Sequence, residues 1–292
     1  MIRQFKAFHP LVIFCYYLGS IALIMLFMHP VFLLISVSSF VMIHILEDRC
    51  KTLLPWLFFI LSTGILIFII NPFFNERGRH ILFEIVGHRV TLEATIYGGM
   101  SALSIVGVML VFVAYNEVMT PNKLLFLFSK FLPQFAVLLM LTLRFIPLMK
   151  RRLEEISAIQ TSKGISVKQG QWKDRIKKGM LYIHILLTYS LEEAIQTADS
   201  MRARGYGQFQ RTTYEYFRWK KSDIVSIIYL VLLFSLCIYG RLFNNGLLTI
   251  YPIMEPMSLS PQEVIILCMN VLFFSLPLLA ELGDVIQWRI LK

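Results

Sequence analysis

Apolar residues fall in long blocks along this chain, separated by short polar breaks. Six blocks approach the roughly 20 residues that a helix needs to cross a bilayer core. They are Leu11–Met28, Val31–Leu46, Leu53–Ile70, Ala94–Tyr115, Ile224–Leu242 and Val264–Leu282. His29-Pro30 and Glu47-Asp48-Arg49-Cys50-Lys51 leave room only for tight turns. The first block follows Arg3 and Lys6 but has no small-residue cleavage site, so a retained helix is expected there. Residues 71–93, with Phe73, Phe74, Ile81, Leu82 and Phe83, are expected to form a loop that dips back into the interface. Residues 244–260, with Gly246, Pro252 and Pro256, are expected to form an irregular cap.

A seventh block, Leu124–Met149, is decided by charge. Residues 150–221 are rich in Lys and Arg, with about half as many acids. The positive-inside tendency places this stretch in the cytosol, together with the N-terminus, the 47–51 turn and the tail at Arg289 and Lys292. Four spans return the chain to the cytosol at Asn116, and a fifth crossing would carry the basic stretch outside. The seventh block also holds Lys130, Pro133, Arg144 and Pro147, and a charge at mid-membrane costs about 2.5–3.5 kcal/mol. It is therefore expected to lie at the cytosolic face without crossing. The expected fold is an all-α integral membrane protein. Residues 1–116 hold four transmembrane helices, 117–222 a cytosolic or interfacial module of three amphipathic helices, and 223–292 two further spans.

Composition agrees with that class. The chain of 292 residues is 57% hydrophobic and 16% charged, too apolar to cover itself in water. Cys15, Cys50, Cys237 and Cys268 lie far apart with no CxxC pair, so neither a disulfide framework nor a thiolate metal site is indicated. The net charge of +10 comes largely from the basic module.

Within the module, Ile183, Leu187, Leu191, Ala194, Ala198 and Met201 recur at helical steps as one apolar stripe, and Gly205 closes that helix. A shorter stripe, Leu153, Ile156 and Ile159, ends at Lys163-Gly164. Ala-Ile-Gln-Thr occurs in both helices, at Ala158–Thr161 and Ala194–Thr197, which suggests two related basic tips. The plain explanation for the cations is the negative end of the helix dipole and pairing of Asp199 with Arg202. For Lys173, Arg175, Lys177 and Lys178 it is attraction to anionic headgroups. Arg204 differs, because Ala203 and Gly205 clear space for a partner surface to receive a bidentate guanidinium. Lys163 offers a mobile point charge instead.

In the spans, Ala94, Gly98 and Ala102 form a small-residue face, with Ser101, Ser104 and Gly107 beside it and Ser36, Ser38 and Ser39 on the second span. Such residues permit close helix contact, within this chain or against another membrane protein. His80, Glu84 and His88 would share a face only if their stretch were helical, and no metal site is expected. A secondary transporter would need ionisable groups at mid-membrane, and an enzyme a cluster of acids, histidines or an activated nucleophile; the pattern supplies neither. Nucleic-acid binding is disfavoured because the basic stretch is interleaved with apolar stripes. No GxxxxGK[ST] loop occurs, so the chain has no phosphate loop of its own.

The Ala203-Arg204-Gly205 triplet resembles the second signature of the transmembrane T component of energy-coupling factor (ECF) transporters, a group of ABC-type importers. Its context is similar too: Leu143-Arg144-Phe145-Ile146-Pro147, Leu191-Glu192-Glu193-Ala194-Ile195, Ala198–Gly207 and Phe126–Pro133. The family's first triplet reads Ser162-Lys163-Gly164 here, a departure at Lys163. The resemblance implies a non-catalytic subunit of the bacterial-type cell membrane, with both termini cytoplasmic. It implies docking of two cytosolic ABC ATPases at Ser162, Lys163 and Gly164 and at Arg202, Ala203, Arg204 and Gly205. A separate membrane S component would capture the substrate, a vitamin or a transition-metal ion such as cobalt or nickel. ATP and Mg would be used by the ATPases, with no cofactor bound by this chain. The alternatives are a self-sufficient secondary transporter and an integral membrane enzyme.

Overall fold

A computed structural model describes residues 5–48, 53–75, 78, 80–85, 88–129, 132–167, 170–208, 217–243, 245–250, 255 and 258–281. Arg3, Arg49, Cys50, Lys51, Lys130, Pro252, Pro256 and the basic tail, singled out above, lie outside them. The chain divides into two compact units, residues 1–123 with 217–292 and residues 124–216.

The first unit holds α1 (Pro10–Leu26), α2 (Pro30–Asp48), α3 (Leu54–Phe74), α4 (Leu92–Val118), α8 (Lys221–Leu242) and α9 (Pro261–Phe274). These helices fall on the six apolar blocks, as composition requires of a chain whose solvent is lipid. By length and composition α3, α4 and α8 can each cross a bilayer, while α1, α2 and α9 are shorter apolar helices. The sixth block is interrupted. α9 stops at Phe274 and helix resumes at Leu276, because Pro277 has no N–H to continue the ladder.

α4 packs against α1, α2 and α3, while α8 and α9 pack on each other and on α1. Glycines set how closely these helices approach. A Cβ at Gly19 would sit 2.7 Å from the Phe273 ring, and one at Gly240 would sit 2.4 Å from Ile266. Gly64 on α3 leaves similar room for Val106 on α4. The core is aromatic: Phe5, Tyr16, Phe40, Phe273 and Phe274 are fully buried, and the Tyr16 hydroxyl donates to the Phe274 carbonyl at 2.9 Å.

The expected interfacial loop before α4 is instead a hairpin of β1 (Ile81–Ile85) and β2 (His88–Thr91), with Glu84 opposite Arg89. Glu84 and Arg89 form an ion pair at 3.1 Å. His80, Glu84 and His88 therefore share no helical face, and the described residues contain no cluster that could hold a metal ion. Thr91 caps α4, its hydroxyl accepting from the Ala94 N–H, and buried Glu93 accepts from the His80 N–H at 3.2 and 3.3 Å. Among the described residues the fold is all-α apart from this hairpin.

One end of this unit is tied together by polar groups. The Leu248 N–H donates to the Met28 carbonyl, Gly246 N–H donates to Glu263, and Arg241 Nε donates to the Leu26 carbonyl that ends α1. His29, 2% exposed, accepts from the Val31 N–H through Nδ1. Burial holds its pKa below the ordinary 6.5, against the pull of Glu263.

The second unit holds most of α5 (Pro121–Ser129), all of α6 (Pro133–Ser162) and all of α7 (Trp172–Ala203). Three helices were expected here, but they divide differently. The seventh apolar block breaks between α5 and α6, and its second half continues without interruption into the stripe ending at Lys163. Pro133 stands in the first turn of α6, where its missing N–H costs nothing, and Pro147 is accommodated inside the helix. By length and composition α6 also meets the requirement for a span.

Two measurements probe this packing. Gly19→Leu should lower stability in detergent by about 1–3 kcal/mol through overpacking. Gly179→Ala, with open space around its position in α7, should gain about 0.5–1 kcal/mol. Because neutral His29 is favoured in the fold, the unfolded chain binds more protons below pH 6.5, and stability should fall as pH drops through that value. Denaturation midpoints between about pH 7.5 and 5 should show a shallower slope for His29→Asn.

Candidate functional site

The two basic tips share one backbone design. At the end of α6, the Gly164 N–H donates to the Thr161 carbonyl at 3.0 Å and the Ile165 N–H to the Gln160 carbonyl at 2.9 Å. At the end of α7, the Gly205 N–H donates to Arg202 at 3.0 Å and the Tyr206 N–H to Met201 at 3.0 Å. In each, the second bond reaches back five residues, the mark of a Schellman cap closed by a left-handed residue. Gly164 and Gly205 supply it, with φ of 79° and 76°. Lys163 and Arg204 occupy the same capping position at φ −83°, with ψ of 6° and 8°. Residues 162–164 and 203–205 are thus equivalent by geometry. The two Ala-Ile-Gln-Thr copies are not, since they lie at different distances from their glycines.

The first tip is braced. Tyr182, 5% exposed, donates from its hydroxyl to the Ile165 carbonyl at 2.6 Å, and Arg175 Nε donates to the Val167 carbonyl at 2.9 Å. Farther along α6, the Arg152 guanidinium pairs with Glu155 at 3.0 Å and lies over the Tyr189 ring at 5.9 Å. These groups mark the face that α7 turns toward α6: Tyr182 is buried and Leu186, Ser190, Glu193 and Thr197 are half-buried. The anticipated stripe is offset from it, and Ile183, Leu187 and Leu191 are exposed within this unit. The brace had a partial signal in the sequence, a tyrosine beside a basic run, but its hydroxyl's acceptor is a loop carbonyl that no pattern reveals.

The cations of the tips face outward. Ser162, Lys163, Gly164, Arg202, Ala203 and Arg204 are exposed and Gly205 is half-buried. The Ser162 hydroxyl is occupied by the Ile159 carbonyl at 2.7 Å. Among the described residues no ion pair engages Lys163, Arg202 or Arg204, so the anticipated Asp199–Arg202 pair is not formed. An exposed pair of that kind gains too little to hold two long side chains together. Tyr182 holds the first tip, and Arg204 stands 22 residues farther along α7, so the axial separation of the tips is about 30 Å at 1.5 Å per residue.

The small-residue candidates lie elsewhere, in the first unit. Ala94, Gly98 and Ala102 are buried, and a Cβ at Gly98 would meet Asn71 at 3.2 Å and the Phe68 carbonyl at 3.3 Å, so this face is used against α3. Ser36 is buried and bonds the Phe32 carbonyl; Ser39 is half-buried and bonds Ile35. The most exposed apolar side chains of this unit include Phe58 and Phe74 on α3 and Val225 and Leu242 on α8.

If the caps fix the tips, Gly164→Ala should destabilise only the end of α6. Nothing crowds its Cβ, so the cost is the left-handed backbone itself, about 1–2 kcal/mol. Tyr182→Phe should cost about 1 kcal/mol more locally, and hydrogen exchange at residues 160–165 should accelerate accordingly.

Comparison with known proteins adds a second line. The CbiQ family, described as a cobalt transport protein, matches residues 5–215. Among curated proteins, the energy-coupling factor transporter transmembrane protein EcfT of Listeria innocua is 28% identical over 203 residues, covering 64% of this chain and 77% of its own. EcfT of Staphylococcus aureus is 24% identical over 192 residues, covering 62% and 70%. EcfT of Lactobacillus helveticus is 32% identical over 109 residues, covering 37% and 39%.

Proposed function

The chain belongs to the CbiQ cobalt transport protein family, is an ECF transporter T component, and on that premise we propose that it couples two cytosolic ABC ATPases to a membrane S component. The observation that carries this reading is the pair of matched caps, each presenting one exposed cation beside a glycine about 30 Å from the other. Two like-built ends at that spacing suit two like partners, one per tip. Arg204, flanked by Ala203 and Gly205, can enter a partner groove and meet a carboxylate or backbone carbonyls in a fixed fork. Lys163, in the same backbone position, offers a point charge and weaker geometry.

In this reading the partners hydrolyse ATP with Mg, and this chain contributes no reacting group. Nucleotide binding draws the ATPases together and moves the tips relative to each other. α6 and α7 pass that movement to the membrane part, which reorients the S component carrying a vitamin or a transition-metal ion. Lys150, Arg151 and Arg152 hold the base of the module near headgroups. The exposed apolar stripe of α7 requires cover by lipid or protein, since an apolar surface that long is not left to water. The N-terminus, the C-terminus and both tips lie in the cytoplasm, with α6 along the membrane face.

The test is co-purification from the native membrane. Arg204→Glu should reduce recovery of the ATPases by tenfold or more, about 1.4 kcal/mol or above, and Lys163→Glu should do less. A membrane-impermeant thiol reagent should label Arg204→Cys only in inverted vesicles. Unchanged recovery, or labelling from the outer side, would overturn the reading.

A further inference from the structure

The described N-terminal residues join two places that lie far apart in sequence. The basic module leaves the first unit after α4, at residues 118–123, and returns before α8, at residues 217–220. On the departure side, the Lys6 ammonium pairs with Glu117 in the last turn of α4. Lys123 Nζ donates to the Lys6 carbonyl at 2.7 Å and to the Val118 carbonyl at 3.1 Å, tying α4, its exit and the N-terminal segment into one knot. On the return side, the His9 N–H donates to Asp223 Oδ1 at 3.2 Å, while the Lys220 N–H donates to Oδ2 at 2.9 Å. The His9 ring stacks on Trp219 with centroids 4.1 Å apart and planes 17° from parallel. Asp223 is 1% exposed and His9 5%, so this second knot is largely shielded from water. Phe5, fully buried against Tyr16 and Tyr17 of α1, anchors the segment between the two knots.

We propose that residues Phe5–His9 form a clasp that holds both roots of the coupling module to α1, so that the module's movement enters the membrane helices through this segment. The proposal rests on the coupling role inferred above. A module joined to its membrane part by two chain segments could swing on either alone. Bridging both roots through one short segment makes them move together. α1 then receives the displacement directly and passes it to α4 and α8, against which it packs. Lys6, His9, Lys123, Trp219 and Asp223 act in this scheme as positioning residues, with no contact to nucleotide or cargo.

The experiment uses the full chain purified with its ATPases, its native cysteines replaced, and spin labels at Phe58→Cys on α3 and Val225→Cys on α8, both exposed. The intact clasp should give a change in label separation on addition of ATP with orthovanadate. Trp219→Ala combined with Glu117→Gln should retain the ATPases yet reduce the shifted population about fivefold or more, and Trp219→Phe, which keeps the stack, should restore it. Should the double variant fail to fold, Lys6→Gln, at a partly exposed side chain, must lower the shifted population by itself. A wild-type shift persisting in folded clasp variants with ATPases bound overturns the clasp, as does a wild-type complex that shows none. Arg204→Glu run alongside separates the two ideas: retention of the ATPases by that variant defeats the docking reading alone.

Discussion

The architecture depends on satisfying backbone groups at helix ends in a setting where water is scarce. Every helix leaves carbonyls and N–H groups without intrahelical partners at its termini. Here polar side chains and glycine caps meet several of them. Arg241 takes the Leu26 carbonyl that ends α1, Lys123 the Val118 carbonyl that ends α4, and Asp223 the Lys220 N–H just before α8. Gly164 and Gly205 let the backbone meet its own carbonyls where α6 and α7 end. Because these bonds fall at helix ends, they also determine where the chain can turn and what it can present there.

Close packing supplies the other half. Small residues at Gly19, Gly64, Gly98 and Gly240 bring helices together without a water-derived drive, and aromatic rings fill the space between them. Few polar groups are left over. Among the described residues, the Asn270 amide and one oxygen of Glu117 are buried without a hydrogen-bond partner. The second unit is built oppositely. Each of its two long helices buries a single side chain, Ile156 on α6 and Tyr182 on α7, and leaves much of its apolar surface uncovered.

The two units therefore differ in construction. A densely packed membrane part keeps its shape, while the long helices of the module carry cations at defined, separated points. The two caps share one backbone geometry and differ in the cation they present, Lys163 at one and Arg204 at the other.

The sequence by itself determined the class, the six apolar helices and the two basic glycine endings. Apolar block length and a helix-terminating glycine are local properties that neighbours rarely override. It did not determine that α6 runs unbroken through Pro147, that residues 81–91 pair as strands, or that the α7 stripe stands clear of α6. Those outcomes go with contacts that hydrophobic periodicity does not encode: the Tyr182 hydroxyl on the Ile165 carbonyl, Arg89 paired with Glu84 across the hairpin, and Thr91 opening α4. The bridging of both module roots by residues 5–9 is wholly tertiary. Lys6 meets Glu117, and His9 meets Asp223, across more than a hundred and more than two hundred residues of chain, contacts that no local pattern encodes.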